Sequence, residues 1–350
     1  MPQPPKLLAV RVGRAGDLVM VTPALRGLLE AFPTGELHLL TSAEGARVMR
    51  GFDPRLTRIW TYTRRFPRSW LLQPRLLRSF IGEEYDRIYI FETKPLYQRW
   101  LGRTGAPCHV LAADAPETHY SERCLGLVGR SLAGPVRPGW IELPVTAEGK
   151  ARAAALLSAH GLGPDTVLVG LHPTFSGSGL PFFRDRAGAR HRVWPLDNFA
   201  VLARLLREQA AARGLSLAVV VDALPAEQRI IRPLVEASAG AVTLLCAPPD
   251  FQRYKALLAR LDVLVSANTG PMHIAAAVGT PVVALFSQWS VADCGPYTDP
   301  ARVAILRAED TPHPERGLAA ITPERVAERV WRMVAARSRK TDHNPSDTNS

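Results

Sequence analysis

Apolar positions in this 350-residue chain alternate between two periods. Short runs that read as buried strands, "KLLAVRV", "ELHLLTS", "LTRIWTYT" and "YDRIYIFE", are followed by helical spacing at 17–32, 43–52, about 69–81 and about 95–103. Repeated β-α units predict a parallel sheet. The segment 134–149, "GPVRPGWIELPVTAEG", has no period and is rich in Pro and Gly, as interdomain linkers are. Beyond it the alternation resumes. "VLVGLHPT" precedes a helix over 196–213, "LSLAVVVDA" one over 226–238, "AVTLLC" one over 251–260 and "DVLVSA" one over 271–278, before a last run, "PVVALFS". The pattern predicts two doubly wound, Rossmann-like α/β domains facing a central cleft, over residues 1–148 and 149–336. Residues 337–350 are polar and aperiodic, and are expected to form a disordered tail.

Composition adds little to the fold and something to the partners. A hydrophobic content of 47% is enough for two cores. Lys and Arg number 43 against 32 acidic residues, a net +11, and Lys stands only at Lys6, Lys94, Lys150, Lys255 and Lys340. A GC-rich genome and an anionic partner both produce such an Arg excess. No nucleic-acid-binding module accompanies it, so nucleic acid is not the expected partner. Cys108, Cys124, Cys246 and Cys294 are far apart, which predicts reduced thiols and neither a zinc knuckle nor a disulfide framework. The first apolar run is soon broken by Arg11 and Arg14, and no later run is long enough to span a bilayer, so a cytoplasmic location is expected.

Three strand-to-helix junctions carry candidate chemistry, since ligands of open α/β sheets bind beyond the carboxyl ends of the strands. The first, "RVGRAGDLVMVTPAL", presents Gly13, Arg14, Gly16 and Asp17. It lacks the close glycine pair of a dinucleotide fingerprint, which disfavours an NAD enzyme. Asp17 either caps the helix or faces the cleft as a general base. The second, "LHPTFSGSG", leads to "ARHRVWPLDNF", where Arg192 is either a surface Arg or a diphosphate ligand. The third, "SANTGPMHIAAAVGTPVVALF", sets Asn268, Thr269, Gly270 and His273 at a helix start. There an oxyanion can be received, or Asn268 simply caps the helix while His273 packs.

In this order and spacing, from "VRVGRAGDLVMVTPALRGLLEAFP" to "SANTGPMHIAAAVGTPVVALF", the junctions resemble glycosyltransferase family 9, the ADP-heptose:lipopolysaccharide heptosyltransferases. The resemblance implies a GT-B fold with an acceptor-binding N-terminal domain and a nucleotide-sugar-binding C-terminal domain. It also implies inverting transfer without metal or cofactor, consistent with the lack of an Asp-x-Asp triplet. Asp17 matches the catalytic base and Thr174 a donor-binding Thr, with Phe175 where some members carry a second hydroxyl. Arg192 stands where a Lys usually faces the diphosphate. Glu227 matches the acid that holds the ribose, with Asp222 as competitor, and Thr269, Gly270 and His273 match the donor-phosphate junction.

Asn268 departs from the usual Asp-Thr-Gly and removes a carboxylate from the sugar site, which opens the donor to another heptose or hexose. The implied partners are a nucleotide sugar, ADP-heptose first, and an anionic glycan or glycolipid acceptor. A same-fold transferase with a small-molecule or protein acceptor, and a non-catalytic nucleotide-sugar-binding protein, are the alternatives. The stretch 64–80, with Phe66, Trp70 and Phe80 among arginines, reads either as a surface meeting the cytoplasmic face of the inner membrane or as an ordinary amphipathic helix.

Overall fold

The computed structural model describes residues 4–65, 67–113, 117–132, 134, 136, 139–174 and 189–341. The chain divides into two compact units, Met1–Pro144 with Ser290–Tyr297, and Val145–Trp289 with Thr298–Ser350.

The first unit runs β1 (Lys6–Arg11), α1 (Ala15–Val19), α2 (Thr22–Ala31), β2 (Glu36–Thr41), α3 (Ala43–Met49), β3 (Leu56–Thr61), α4 (Arg68–Glu83), β4 (Arg87–Ile90), α5 (Pro95–Leu101), β5 (Cys108–Val110) and α6 (Tyr120–Leu132). Its sheet is parallel, in the order β3-β2-β1-β4-β5. The helix expected over 17–32 is two helices, because Pro23 opens α2 and the Thr22 hydroxyl donates to the Val19 carbonyl at 2.7 Å. Leu76, Leu77 and Phe80 of α4 and Tyr97, Trp100 and Leu101 of α5 pack on Leu8, Val10, Ile88 and Ile90. Each such side chain, fully buried, contributes ~1.5–3 kcal/mol.

The second unit runs α7 (Ala147–Ser158), β6 (Val167–His172), α8 (Leu196–Ala212), β7 (Leu217–Ala223), α9 (Gln228–Ala237), β8 (Val242–Cys246), α10 (Phe251–Arg260), β9 (Val263–Ala267), α11 (Gly270–Ala277) and β10 (Val282–Phe286). A short helix, α12 (Val291–Cys294), then lies in the first unit, before β11 (Val303–Arg307) and α13 (Pro323–Thr341) complete the second. The second sheet is also parallel, β11-β10-β9-β6-β7-β8, the doubly wound order with its reversal between β6 and β9. Its core centres on Trp194, 1% exposed, whose indole N–H donates to the Ile321 carbonyl at 2.9 Å and whose ring meets Phe199 edge-on.

Several elements have no counterpart in the expected pattern. α7 starts inside the expected linker, where the Thr146 hydroxyl accepts from Gly149 N–H. β5, α6, β11 and α13 are also additions, and α13 continues into the stretch expected as a tail, up to Thr341. Residues 342–350 lie outside the described residues, as do Phe66 and Phe175. The returning segment 290–297 is tied into the first unit by Ile141 N–H donating to the Tyr297 carbonyl at 3.1 Å. An ion pair of Arg123 with Asp293 at 2.6 Å and the His119 ring stacked on Tyr297 complete the attachment.

Candidate active site

In the first unit the reversal of strand order lies between β1 and β4, and the residues that follow these strands meet there. Val12 N–H donates to Glu92 Oε1 at 2.9 Å, and Arg64 Nη2 donates to the same oxygen at 2.6 Å while also reaching the Val12 carbonyl. Arg64 Nε donates to the Tyr97 hydroxyl at 2.9 Å. Arg64 is thus turned into the site and does not belong to the basic surface read over 64–80. Glu92 is 3% exposed, and Arg11, whose Nη1 is 3.4 Å from Glu92 Oε2, adds to the partners that a buried carboxyl group needs.

Asp17 stands in the first turn of α1. Its Oδ2 accepts from Arg14 N–H at 3.0 Å and lies 3.4 Å from Arg11 Nη2. The carboxylate therefore caps the helix, one of the two roles open to it, and still has 38% of its side chain exposed. Oδ1 makes no hydrogen bond or ion pair with a described residue. Gly13 permits this arrangement, because a Cβ there would fall 2.5 Å from Asp17 Oδ2. Ser42 fixes the same turn, its hydroxyl donating to the Gly13 carbonyl at 2.7 Å while accepting from Gly45 N–H to cap α3. Gly16 is buried, and Ala15 N–H donates to Glu44 Oε1 at 3.1 Å. Burial works against the Arg11 charge, yet Tyr120, Asp17 and Glu92 outweigh it and hold the guanidinium more firmly protonated. Tyr120 is itself buried and kept neutral, so the two carboxylates are the physical source of that gain.

In the second unit the corresponding residues follow β6, β7, β9 and β10. Thr174 is buried beyond the end of β6. Thr269 occupies the N-cap of α11 and exchanges a hydrogen bond with Ser266 at 2.9 Å between hydroxyls. Asn268 stands one position before the N-cap and is half-buried. Gly270 and Pro271 open the helix, and His273, 3% exposed, sits in its first turn. Arg192 rests its guanidinium 4.9 Å over the ring of Trp289, beyond the end of β10.

Glu227 and Asp222 differ in what holds them. Glu227 Oε2 accepts from Leu224 N–H at 2.9 Å, closing the turn after β7. Asp222 is pushed up to about 6 by burial, opposed by Arg253 and reinforced by Glu227. It lines a small cavity under α10 with Tyr254 and with His172, which burial pushes down to about 4.

Glu92, Arg11, Arg64, Ser42 and Glu44 went unmarked in the sequence, although the acid closing "YIFE" directly after an apolar strand is a signal of the same kind as Asp17. A second unmarked set follows β10. His191 Nδ1 is 2.8 Å from the Ser287 hydroxyl, and Glu309 Oε1 accepts from Gln288 N–H at 2.6 Å. Gln288 has φ +61°, a left-handed conformation that costs a non-glycine residue ~1–2 kcal/mol and that the Glu309 contact holds in place.

The family model for glycosyltransferase family 9 (heptosyltransferase) matches residues 145–319. Among solved structures, a glycosyl transferase family 9 protein from Veillonella parvula DSM 2008 superposes with a TM-score of 0.79 at 17% identity, over 95% of this chain and 97% of that one. The E. coli ADP-heptose lps heptosyltransferase II gives 0.72 at 19% identity, over 95% and 99% of the two chains. The E. coli heptosyltransferase WaaC with ADP gives 0.68 at 18% identity, over 94% and 99%. No curated protein matches by sequence. At these identities the structures speak for the fold, two parallel-sheet α/β units of the GT-B class.

Proposed function

Because the chain belongs to glycosyltransferase family 9, the heptosyltransferase family, we propose that it moves a heptose from ADP-heptose to a lipopolysaccharide core or similar anionic glycan, with inversion and without a metal. In this reading Asp17 Oδ1 takes the proton of the acceptor hydroxyl as its oxygen bonds to the anomeric carbon, and ADP leaves from the opposite face. Arg11 and Arg14 N–H hold the other oxygen, so the base keeps one orientation. The first unit takes the acceptor and the second the donor. Arg192 and the first-turn N–H groups of α11, with Thr174, Thr269 and His273 around them, offset the diphosphate charge, while Glu227 or Asp222 takes the ribose. Transfer takes place at the cytoplasmic face of the inner membrane, where such an acceptor is presented.

The observation that carries the reading is the half-exposed Asp17 carboxylate, fixed through one oxygen only, in a chain of this family. Asn268 favours one variation, a donor whose sugar differs from the heptose that an Asp would contact. The test is thermal unfolding with a panel of nucleotide sugars, where a ligand at a hundred times its Kd adds about 2.7 kcal/mol. Stabilisation by ADP-heptose, with ADP released when a truncated core acceptor is added, supports the proposal. Stabilisation by a different nucleotide sugar alone transfers it to that donor. Indifference to every nucleotide and nucleotide sugar overturns it.

A further inference from the structure

The first unit carries a concave surface lined by none of the residues assigned above to the transfer reaction. A groove of about 610 Å³ runs between α4 and α5. Its apolar lining comes from Pro74, Leu77, Ile81 and Leu96, and its charge from Arg78, Arg99 and Arg103. Among the described residues no acidic side chain lines it, and none of these three guanidiniums has a carboxylate partner. Trp70, Pro74, Leu77 and Ile81 recur at helical spacing, so the apolar stripe of α4 continues past the groove to Trp70, which is 68% exposed. Leu71, Ile81 and Leu96 are exposed as well, while Arg68 and Arg75 add charge along the same helix.

Apolar surface of this extent on a folded protein marks a contact. Its chemistry is mixed in a particular way: aliphatic side chains and an indole, bordered by arginines and free of acids, suit a partner that is apolar within and anionic at its face. No helix among the described residues is long and apolar enough to cross a membrane, so such an element rests on a bilayer rather than spanning it. We propose that the α4–α5 groove docks this protein on an anionic phospholipid surface, with Trp70, Ile81 and Leu96 entering the headgroup layer and Arg78, Arg99 and Arg103 meeting lipid phosphates. The proposal deepens the membrane contact put forward above by naming its residues. Its test reads vesicle binding, not sugar transfer, so either reading can fail without the other.

The full chain is sedimented with vesicles of phosphatidylcholine alone and of phosphatidylcholine with phosphatidylglycerol. Binding is expected to the anionic vesicles only and to weaken with added salt. Reversing the three groove arginines (R78E, R99E, R103E) should lower the partition coefficient at least a hundredfold, since a basic residue near an anionic membrane contributes about 1 kcal/mol. Trp70→Ser should lower it about tenfold. A variant with the same net charge change on exposed sites elsewhere (R207E, R229E, R316E) should bind within about threefold of the natural protein. Melting temperatures identify any variant that fails to fold; for the arginine set, Gln replacements then stand in, with an expected loss of about a hundredfold from the three missing charges alone. Equal binding by the groove and control variants, or equal binding to neutral and anionic vesicles, overturns the proposal. Self-association that the groove substitutions abolish, without vesicle binding, overturns it in favour of a second copy of the chain.

Discussion

Nη2 of Arg11 lies 3.4 Å from Oδ2 of Asp17, while the other terminal nitrogen of the same guanidinium faces the buried carboxylate of Glu92 at 3.4 Å. One cation thus joins the half-exposed acid proposed as base to an acid inside the fold. The pairing orients Asp17 without enclosing it, and this separates the effects expected from changes at the turn.

Asp17→Asn leaves an amide oxygen that can accept from Arg14 N–H as Oδ2 does, but the amide cannot take the acceptor's proton. Turnover should fall on the order of 10²-fold or more, with affinity for ADP unchanged by calorimetry. Normal turnover in this variant would remove Asp17 from the mechanism.

Gly13→Ala tests position instead of charge. The new Cβ, 2.5 Å from the present site of Oδ2, must push the carboxylate aside. Since a displacement near 1 Å can cost about 10²-fold in rate, kcat should drop at least about tenfold. Because the displaced oxygen also caps α1, the cost in stability should stay within that of one lost cap, about 1 kcal/mol. A variant as active as the natural protein would show that Asp17 need not hold this orientation.

Arg192→Ala should weaken ADP and intact donor alike, by roughly 1.5–3 kcal/mol, the range for a hydrogen bond to a charged group. The present contact of Arg192 with the Trp289 ring means that indole fluorescence should also respond when ADP binds to the natural protein. Unaltered calorimetric affinity for ADP would place Arg192 outside the donor site.

Asn268→Asp should shift the ratio of kcat/KM between ADP-heptose and competing sugar donors and leave ADP binding alone. Since Asp and Asn cap a helix about equally well, capping by residue 268 predicts no change in donor choice. A ratio within about twofold of the original, on the scale of ordinary side-chain contacts, would count against contact between Asn268 and the sugar.

Stability should carry two opposed pH slopes from the cavity under α10. Asp222 is raised from 3.8 to about 6, so the folded state holds a proton that the unfolded chain releases, and its contribution is lost as pH rises through that window. His172 is lowered from 6.5 to about 4, so the unfolded chain binds the extra proton, and stability is lost as pH falls through that window. The two largely cancel between about pH 4 and 6.5. Asp222→Asn should leave a stability that climbs with pH, and His172→Gln one that declines, each by about 1–2 kcal/mol after allowing for partial exposure. Urea unfolding at pH 4, 5, 6 and 7 reads this directly. Parallel profiles for both variants and the natural protein would show that neither group is shifted.

The order of strands and helices was legible because strand and helix periods are local properties of the chain, and because loop glycines and prolines punctuate them. The same holds for the turns carrying Asp17, Thr174 and Thr269, since a strand that ends in small polar residues before a helix start exposes backbone donors wherever the strand lies. β5 left no trace because three residues are too few to display a period, and α7 was hidden by the Pro- and Gly-rich stretch from which it emerges.

Tertiary structure decided which of these junctions meet. Glu92 reaches Val12 across 80 positions only because β4 pairs with β1, a strand order that no local period encodes. It also divided the 64–80 stretch: Arg64 turns inward to Glu92, Phe80 is buried against Trp60 and Tyr85, and Trp70 stays in solvent. The sequence by itself determined the two parallel α/β sheets and the residue types at their carboxyl edges. Packing alone determined that Asp17 is held through Arg11 and that 290–297 returns to the first unit, because contacts between distant segments depend on sheet order and on which face each helix covers.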